Sequence, residues 1–124
     1  MGLFDTIMGN ASETSASDVQ EELTPILAAN ETVTSAFKLV RDLSVFTNKR
    51  LILIDKQGLT GRKVNYHSIP YKSITQFIVE TAGHCDTDAE LKIWLSGKAD
   101  PIEIELSASS AQAVQQNLAT QMFS

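Results

Sequence analysis

A mainly β domain of the α+β class is predicted for this 124-residue chain, a bent seven-stranded antiparallel sheet or partly open barrel capped by a C-terminal amphipathic helix. Three observations predict it. From residue 31 onward apolar side chains recur at every second position, as on a strand with one buried face. The alternating segments are short and are separated by Asn, Gly and Pro, the residues that turn a chain. Only residues 109–123 return to a three-or-four spacing, where Ala111, Val114, Leu118 and Met122 form one apolar stripe among glutamines.

Residues 1–30 read as an N-terminal helical extension and 31–124 as the domain itself. Leu3, Phe4, Ile7 and Met8 stand at helical spacing, and Gly9 with a small polar linker ends that segment. Residues 1–6 also fit the loose N-myristoylation pattern, but no basic residue nearby supplies a second membrane signal. A second helix is expected from Ser17, with Ser17 and Gln20 as the two halves of a capping box and Val19, Leu23, Ile26 and Leu27 as its apolar stripe. Pro25 predicts a kink, or a fresh start with Thr24 as cap, because it lacks an amide proton and clashes with the preceding turn.

The period then becomes twofold. Val33, Ser35, Phe37 and Leu39 are expected on one side of a first strand and Thr34, Ala36, Lys38 and Val40 on the other. Residues 43–47 and 50–55 read as the next two, joined by an Asn48-Lys49 turn in which Asn tolerates a left-handed backbone. Gly58 and Gly61 lead to a fourth strand over 62–68, and Pro70 puts a corner before a fifth over 72–81. After a loop at 82–88 come two cleanly alternating strands: Leu91, Ile93 and Leu95 against Glu90, Lys92 and Trp94, then Ile102, Ile104 and Leu106 against Glu103, Glu105 and Ser107.

Composition bounds the function. The longest apolar run, Leu51 to Ile54, is far short of the ~20 residues that cross a bilayer, and the N-terminus lacks the basic and apolar stretches of a secretion signal. A single cysteine, Cys85, agrees with a reducing compartment, so a cytoplasmic location is expected. The net charge of -5 is segregated: residues 1–37 carry six acids and no Lys or Arg, 38–72 hold eight of the ten basic residues against Asp42 and Asp55, and 73–124 hold seven acids against Lys92 and Lys98. An acidic total with a basic middle argues against nucleic acid and for ion pairing within or between subunits.

The run from Leu39 to Trp94 resembles the bacterial pleckstrin-homology (PH) family, carried as a domain of unknown function. The residues that carry the likeness are RD at 41–42, TNKR at 47–50, DKQG at 55–58, SIPY at 68–71, ETAG at 80–83 and ELKIW at 90–94. The resemblance implies a PH-like fold, ring-like homo-oligomers and no established biochemical activity. It does not carry over the lipid chemistry of eukaryotic PH domains, which gather several cations around the first strand connection. Here that connection is Val40-Arg41-Asp42-Leu43, with an acid beside its arginine.

Binding candidates for an anion or a neighbouring subunit are Lys38, Arg41, Lys49, Arg50, Arg62, Lys63 and Lys72. The expectation is a non-catalytic module whose partner is a copy of itself, with no cofactor and with an unidentified protein as a further partner. The second reading is a peripheral adaptor for anionic lipid headgroups. Other chemistry lacks a supporting pattern. His84, Cys85, Asp86 and Asp88 share a loop, but no second cluster at metal-ligand spacing accompanies them, so no metal is assigned. His67 reads as an edge histidine, and Gly58-Leu59-Thr60-Gly61 lacks the strand-to-helix setting of a phosphate loop. Trp94, Tyr66 and Tyr71 suit a sheet cover or subunit contact better than base stacking, since Trp94 sits among acids.

Overall fold

A computed structural model describes residues 13–39, 42–57, 63–81 and 88–124. The expected helix over 2–8, residues 82–87 of the expected 82–88 loop, and Arg41 and Arg62 lie outside these residues, while Asp88 belongs to the strand that follows. Two compact units divide the chain, one up to Ile69 and one from Pro70. All seven expected strands are present, together with a two-residue strand before them.

The first unit contains β1 (Glu13–Thr14), α1 (Ala16–Leu23), β2 (Val33–Leu39), β3 (Asp42–Thr47), β4 (Arg50–Gln57) and β5 (Lys63–Pro70), with the strands hydrogen-bonded in that order as one sheet. α1 starts two residues earlier than the sequence suggests. Ser15 is the N-cap, its Oγ accepting from the Asp18 amide at 3.3 Å, so Gln20 is released from the expected capping box. Pro25 ends the helix: a 3-10 turn over Thr24–Ile26 replaces both the kink and the Thr24-capped restart, with Leu23 in the cap position. Of the expected stripe, Val19 and Leu23 are buried, whereas Ile26 is turned to solvent at 43% exposure because the turn rotates it off the helical face.

Val33 faces Thr47, but Ser35 faces Phe46, so a bulge at Thr34 shifts the ladder by one residue. The shift overturns the single alternation expected for β2. Val33 now shares a face with Ala36 and Lys38, opposite Val45 and Leu43, and that face packs with Val19 and Leu23 of α1, Ile52 and Ile54 into one apolar cluster. Phe37, Phe46 and Leu51, on the reverse face, are buried too, and the two phenyl rings meet edge to face with centroids 5.9 Å apart. A sheet buried on both sides explains the unbroken apolar run in β4, which alternation alone does not account for.

The expected single sheet does not continue past Pro70. With no amide proton to donate, Pro70 closes β5, a 3-10 turn over Tyr71–Ser73 follows, and β6 (Ile74–Thr81) opens a separate sheet with β7 (Asp88–Leu95) and β8 (Ile102–Ser107). The β6-β7-β8 order is antiparallel throughout. Ala89, Leu91, Ile93, Ile104 and Leu106 are buried on its inner face. The β7–β8 turn places Gly97 at φ 80°, a conformation a side chain resists. A 3-10 turn over Ala108–Ser110 leads into α2 (Ala111–Met122), whose Ala111, Val114 and Leu118 are buried beside β6 and the 71–73 turn, while Met122 is half-buried.

Candidate functional site

The basic hairpin corner is organised around an acid that the sequence reading passed over. After α1, Asn30 adopts a left-handed backbone at φ 64°, which turns Glu31 back into the unit; the left-handed residue is therefore Asn30 and not Asn48. The Glu31 carboxylate is buried, and its two oxygens accept four hydrogen bonds. Oε1 accepts from the Ala28 amide at 2.8 Å and Arg50 Nη2 at 3.1 Å; Oε2 accepts from Thr47 Oγ1 at 2.7 Å and Arg50 Nε at 2.9 Å. Burial pushes this carboxyl up, yet the hydrogen bonds from Arg50, the Ala28 amide and Thr47, with the Arg50 charge, outweigh it and lower it to about 2.

Arg50 is consumed by the same arrangement. Besides the two bonds to Glu31, Nη1 donates to Ser68 Oγ at 2.8 Å and Nη2 to the Ile26 carbonyl at 2.8 Å, so every guanidinium nitrogen has an acceptor in its own chain. Thr47 Oγ1 also accepts from the amides of Lys49 and Arg50, holding the turn closed. Asn48 exchanges bonds with Thr32 and donates to the Asn30 carbonyl, and Gln20 Oε1 accepts from the Val33 amide at 2.6 Å. Arg50 thus serves the hairpin corner, and the acid it meets belongs to its own chain rather than to a neighbour.

The remaining candidates are placed on different elements. Lys38 is buried on the helix-facing side of β2; Lys49 is exposed at the β3–β4 turn, Lys63 is exposed at the start of β5, and Lys72 is exposed in the turn after Pro70. His67 is exposed on β5, which ends its sheet. Of the tyrosines, Tyr66 stands out at 51% exposure and Tyr71 is buried. Six of the eight residues of β5 are exposed, and β5 is the last strand of its sheet.

The second unit holds a charge pattern that no local motif announces. On the outer face of β6-β7-β8, Glu80 lies opposite Glu90 and Glu90 opposite Glu105, so three glutamates form one row across the sheet. The next row is Ile78, Lys92 and Glu103, and beyond it Gln76 faces Trp94. Lys92 Nζ reaches Glu80 at 3.7 Å and Glu90 at 3.8 Å, which leaves four carboxylates against one ammonium. Like charges directly opposite one another destabilise a sheet. Among the described residues no three carboxylate, His or Cys side chains stand close enough to hold a metal ion, so this is a surface and not a cation pocket.

Sequence reasoning missed Glu31 because its partners lie 16 and 19 residues away. The signal was the hairpin register: once Val33 is placed opposite Thr47, residue 31 falls beside the basic turn. The glutamate row needed the register of three strands at once.

A strand-rich N-terminal unit followed by a three-stranded sheet and a terminal helix is the architecture of PH-like domains. The model of the bacterial PH domain family matches residues 2–122, and the chain belongs to that family. It is 62% identical over 101 residues to the uncharacterized protein YjqA of Bacillus subtilis, covering 82% of this chain and 81% of that one. The uncharacterized YozO of the same organism is 33% identical over 109 residues, covering 86% and 94%. Among solved structures, a DUF1696 family protein with a PH domain from Shewanella loihica matches with TM-score 0.82 at 52% identity, covering 92% of this chain and 98% of its own. A PH domain from Shewanella amazonensis matches with TM-score 0.80 at 54% identity, covering 98% of each. The fold is therefore PH-like. Among the described residues no helix is long and apolar enough to cross a membrane.

Proposed function

We propose that the chain is a non-catalytic interaction module that associates with copies of itself in a ring-like homo-oligomer, and that it works in the cytoplasm. The observation that carries this reading is β5, the last strand of its sheet, in which six of eight residues are exposed, Tyr66 among them at 51%. Soluble proteins rarely leave such an edge bare, because unpaired amides and carbonyls recruit another chain. A contact between two different surfaces of the same chain repeats head to tail and closes into a ring when the rotation per subunit divides a full turn.

The headgroup reading is weakened by the cost of recruiting Arg50. A phosphate would have to replace four acceptor atoms already in place, two of them the oxygens of a buried carboxylate. Lys49 and Lys63 in the first unit and Lys72 in the second are exposed and keep this second reading open to test. Light scattering on the eluting protein tests the proposal. The expected mass is several times that of the 124-residue chain; a strictly monomeric peak across micromolar concentrations rejects it. Pelleting with anionic liposomes at low salt, absent with neutral ones, would favour the membrane adaptor instead.

A further inference from the structure

We infer that Gln20 is an edge guard: from α1, its carboxamide occupies the outer edge of β2 and closes that edge to an extended segment of another polypeptide. The direction of the backbone groups comes first. Thr32 turns towards the β3–β4 hairpin, its carbonyl accepting from the Asn48 amide at 3.0 Å and its amide donating to Asn48 Oδ1 at 2.8 Å. Neighbouring residues of an extended chain direct their backbone groups to opposite edges, so the Glu31 carbonyl and the Val33 amide point away from β3. On that outer side β1 pairs with β2 opposite Ala36 and Phe37.

Gln20 fills the stretch before it. Oε1 accepts from the Val33 amide at 2.6 Å and Nε2 donates to the Glu31 carbonyl at 3.5 Å. A carboxamide carries the same donor and acceptor as a peptide group, so one side chain answers the two backbone groups that a further strand would pair with. Between Gln20 and β1 lies the Thr34 bulge, which interrupts the repeat a strand needs for pairing. The outer edge from 31 to 37 is thus met in turn by a side chain, a bulge and a two-residue strand. Val19 and Leu23, on either side of Gln20 in the chain, are buried in the cluster that includes Val33 and Ala36. The helix that carries the guard is therefore anchored on the strand it guards. An edge amide and carbonyl left unanswered recruit another chain, and the Gln20 contact is the fold's own occupant of that position.

The test replaces Gln20 in the full chain. Gln20→Met keeps the length and helix preference of the side chain and removes the amide; Gln20→Asn keeps the amide and shortens its reach. In both, the Val33 amide is expected to exchange about tenfold faster, the loss of one hydrogen bond, while β4 amides keep their rates. Both are also expected to show a light-scattering mass above that of the wild type, rising with concentration. Circular dichroism reports folding, and Gln20→Ala serves if either variant does not fold. Val33 exchange at the wild-type rate overturns the guard. Faster exchange with an unchanged mass also overturns it, because the bond then excludes nothing. Association by Gln20→Met alone overturns it too, since the cause is then an exposed apolar side chain. The wild-type mass, monomer or ring, is the baseline of each comparison, so failure of the self-association reading leaves this test intact.

Discussion

The two units treat charge in opposite ways. In the first, the Glu31 carboxylate and the Arg50 guanidinium are drawn inward, and every oxygen and nitrogen of the pair has a partner within the unit. In the second, Glu80, Glu90 and Glu105 are laid side by side on an open sheet face with Lys92 as the cation paired to two of them. The first arrangement has nothing left to offer a ligand, so its work is to fix the α1–β2 connection on the β3–β4 turn. The second is under-neutralised, so its carboxylates keep charge that the sheet itself does not balance. A cluster of conspicuous basic residues in a sequence is therefore a weaker pointer to function than the question of which charges the fold leaves unspent.

The contrast can be broken most severely through the core of the second unit. Leu118→Asp puts an unpaired carboxylate at a site with no exposure and is expected to cost more than about 4 kcal/mol. A thermal melt should show the loss of the cooperative transition; an unchanged midpoint would mean that α2 is not docked. Next in size is Glu31→Ala. It strands Arg50, whose side chain is 24% exposed and can partly rehydrate, so a loss of about 3 kcal/mol is expected in urea unfolding. A change below about 1 kcal/mol would demote the pair to an ordinary surface bridge.

Acid sharpens the same point. Because the folded Glu31 carboxyl is lowered from 4.5 to about 2, its contribution is complete above pH 4.5 and is lost as pH falls from there towards 2. The amount at stake is on the order of 3 kcal/mol. Glu31→Gln should be less stable at neutral pH and should lack this acid-dependent loss; parallel pH profiles for the two proteins would contradict it. Asn30→Val should cost about 1–2 kcal/mol for its left-handed backbone, while Asn30→Gly should be close to neutral by the same melt. Smallest is Glu90→Gln, expected to stabilise the fold by about 0.5 kcal/mol through relief of two like-charge pairs, read by the same melt; a clear loss of stability would contradict it.

Much of the architecture was legible because it depends on local periodicity. The alternation at Leu91, Ile93, Ile104 and Leu106 and the three-or-four spacing of Ala111, Val114 and Leu118 survive intact, since each is written within one element. The failures share a physical cause. The Thr34 bulge, the 3-10 turn at Pro25 and the division at Pro70 each arise where the backbone departs from a regular repeat, and a repeat is what the sequence displays. Likewise Arg50 was visible as a cation, but its commitment to Glu31 follows from strand register and a left-handed Asn30, neither of which a linear pattern states.

Amide hydrogen exchange across a dilution series tests the central claim most directly, by following β5 (63–70) in the assembled and the dissociated protein. The account predicts that outward-facing β5 amides exchange freely on dissociation and become protected on assembly. Identical exchange of β5 in both states, in a protein that assembles, would contradict it.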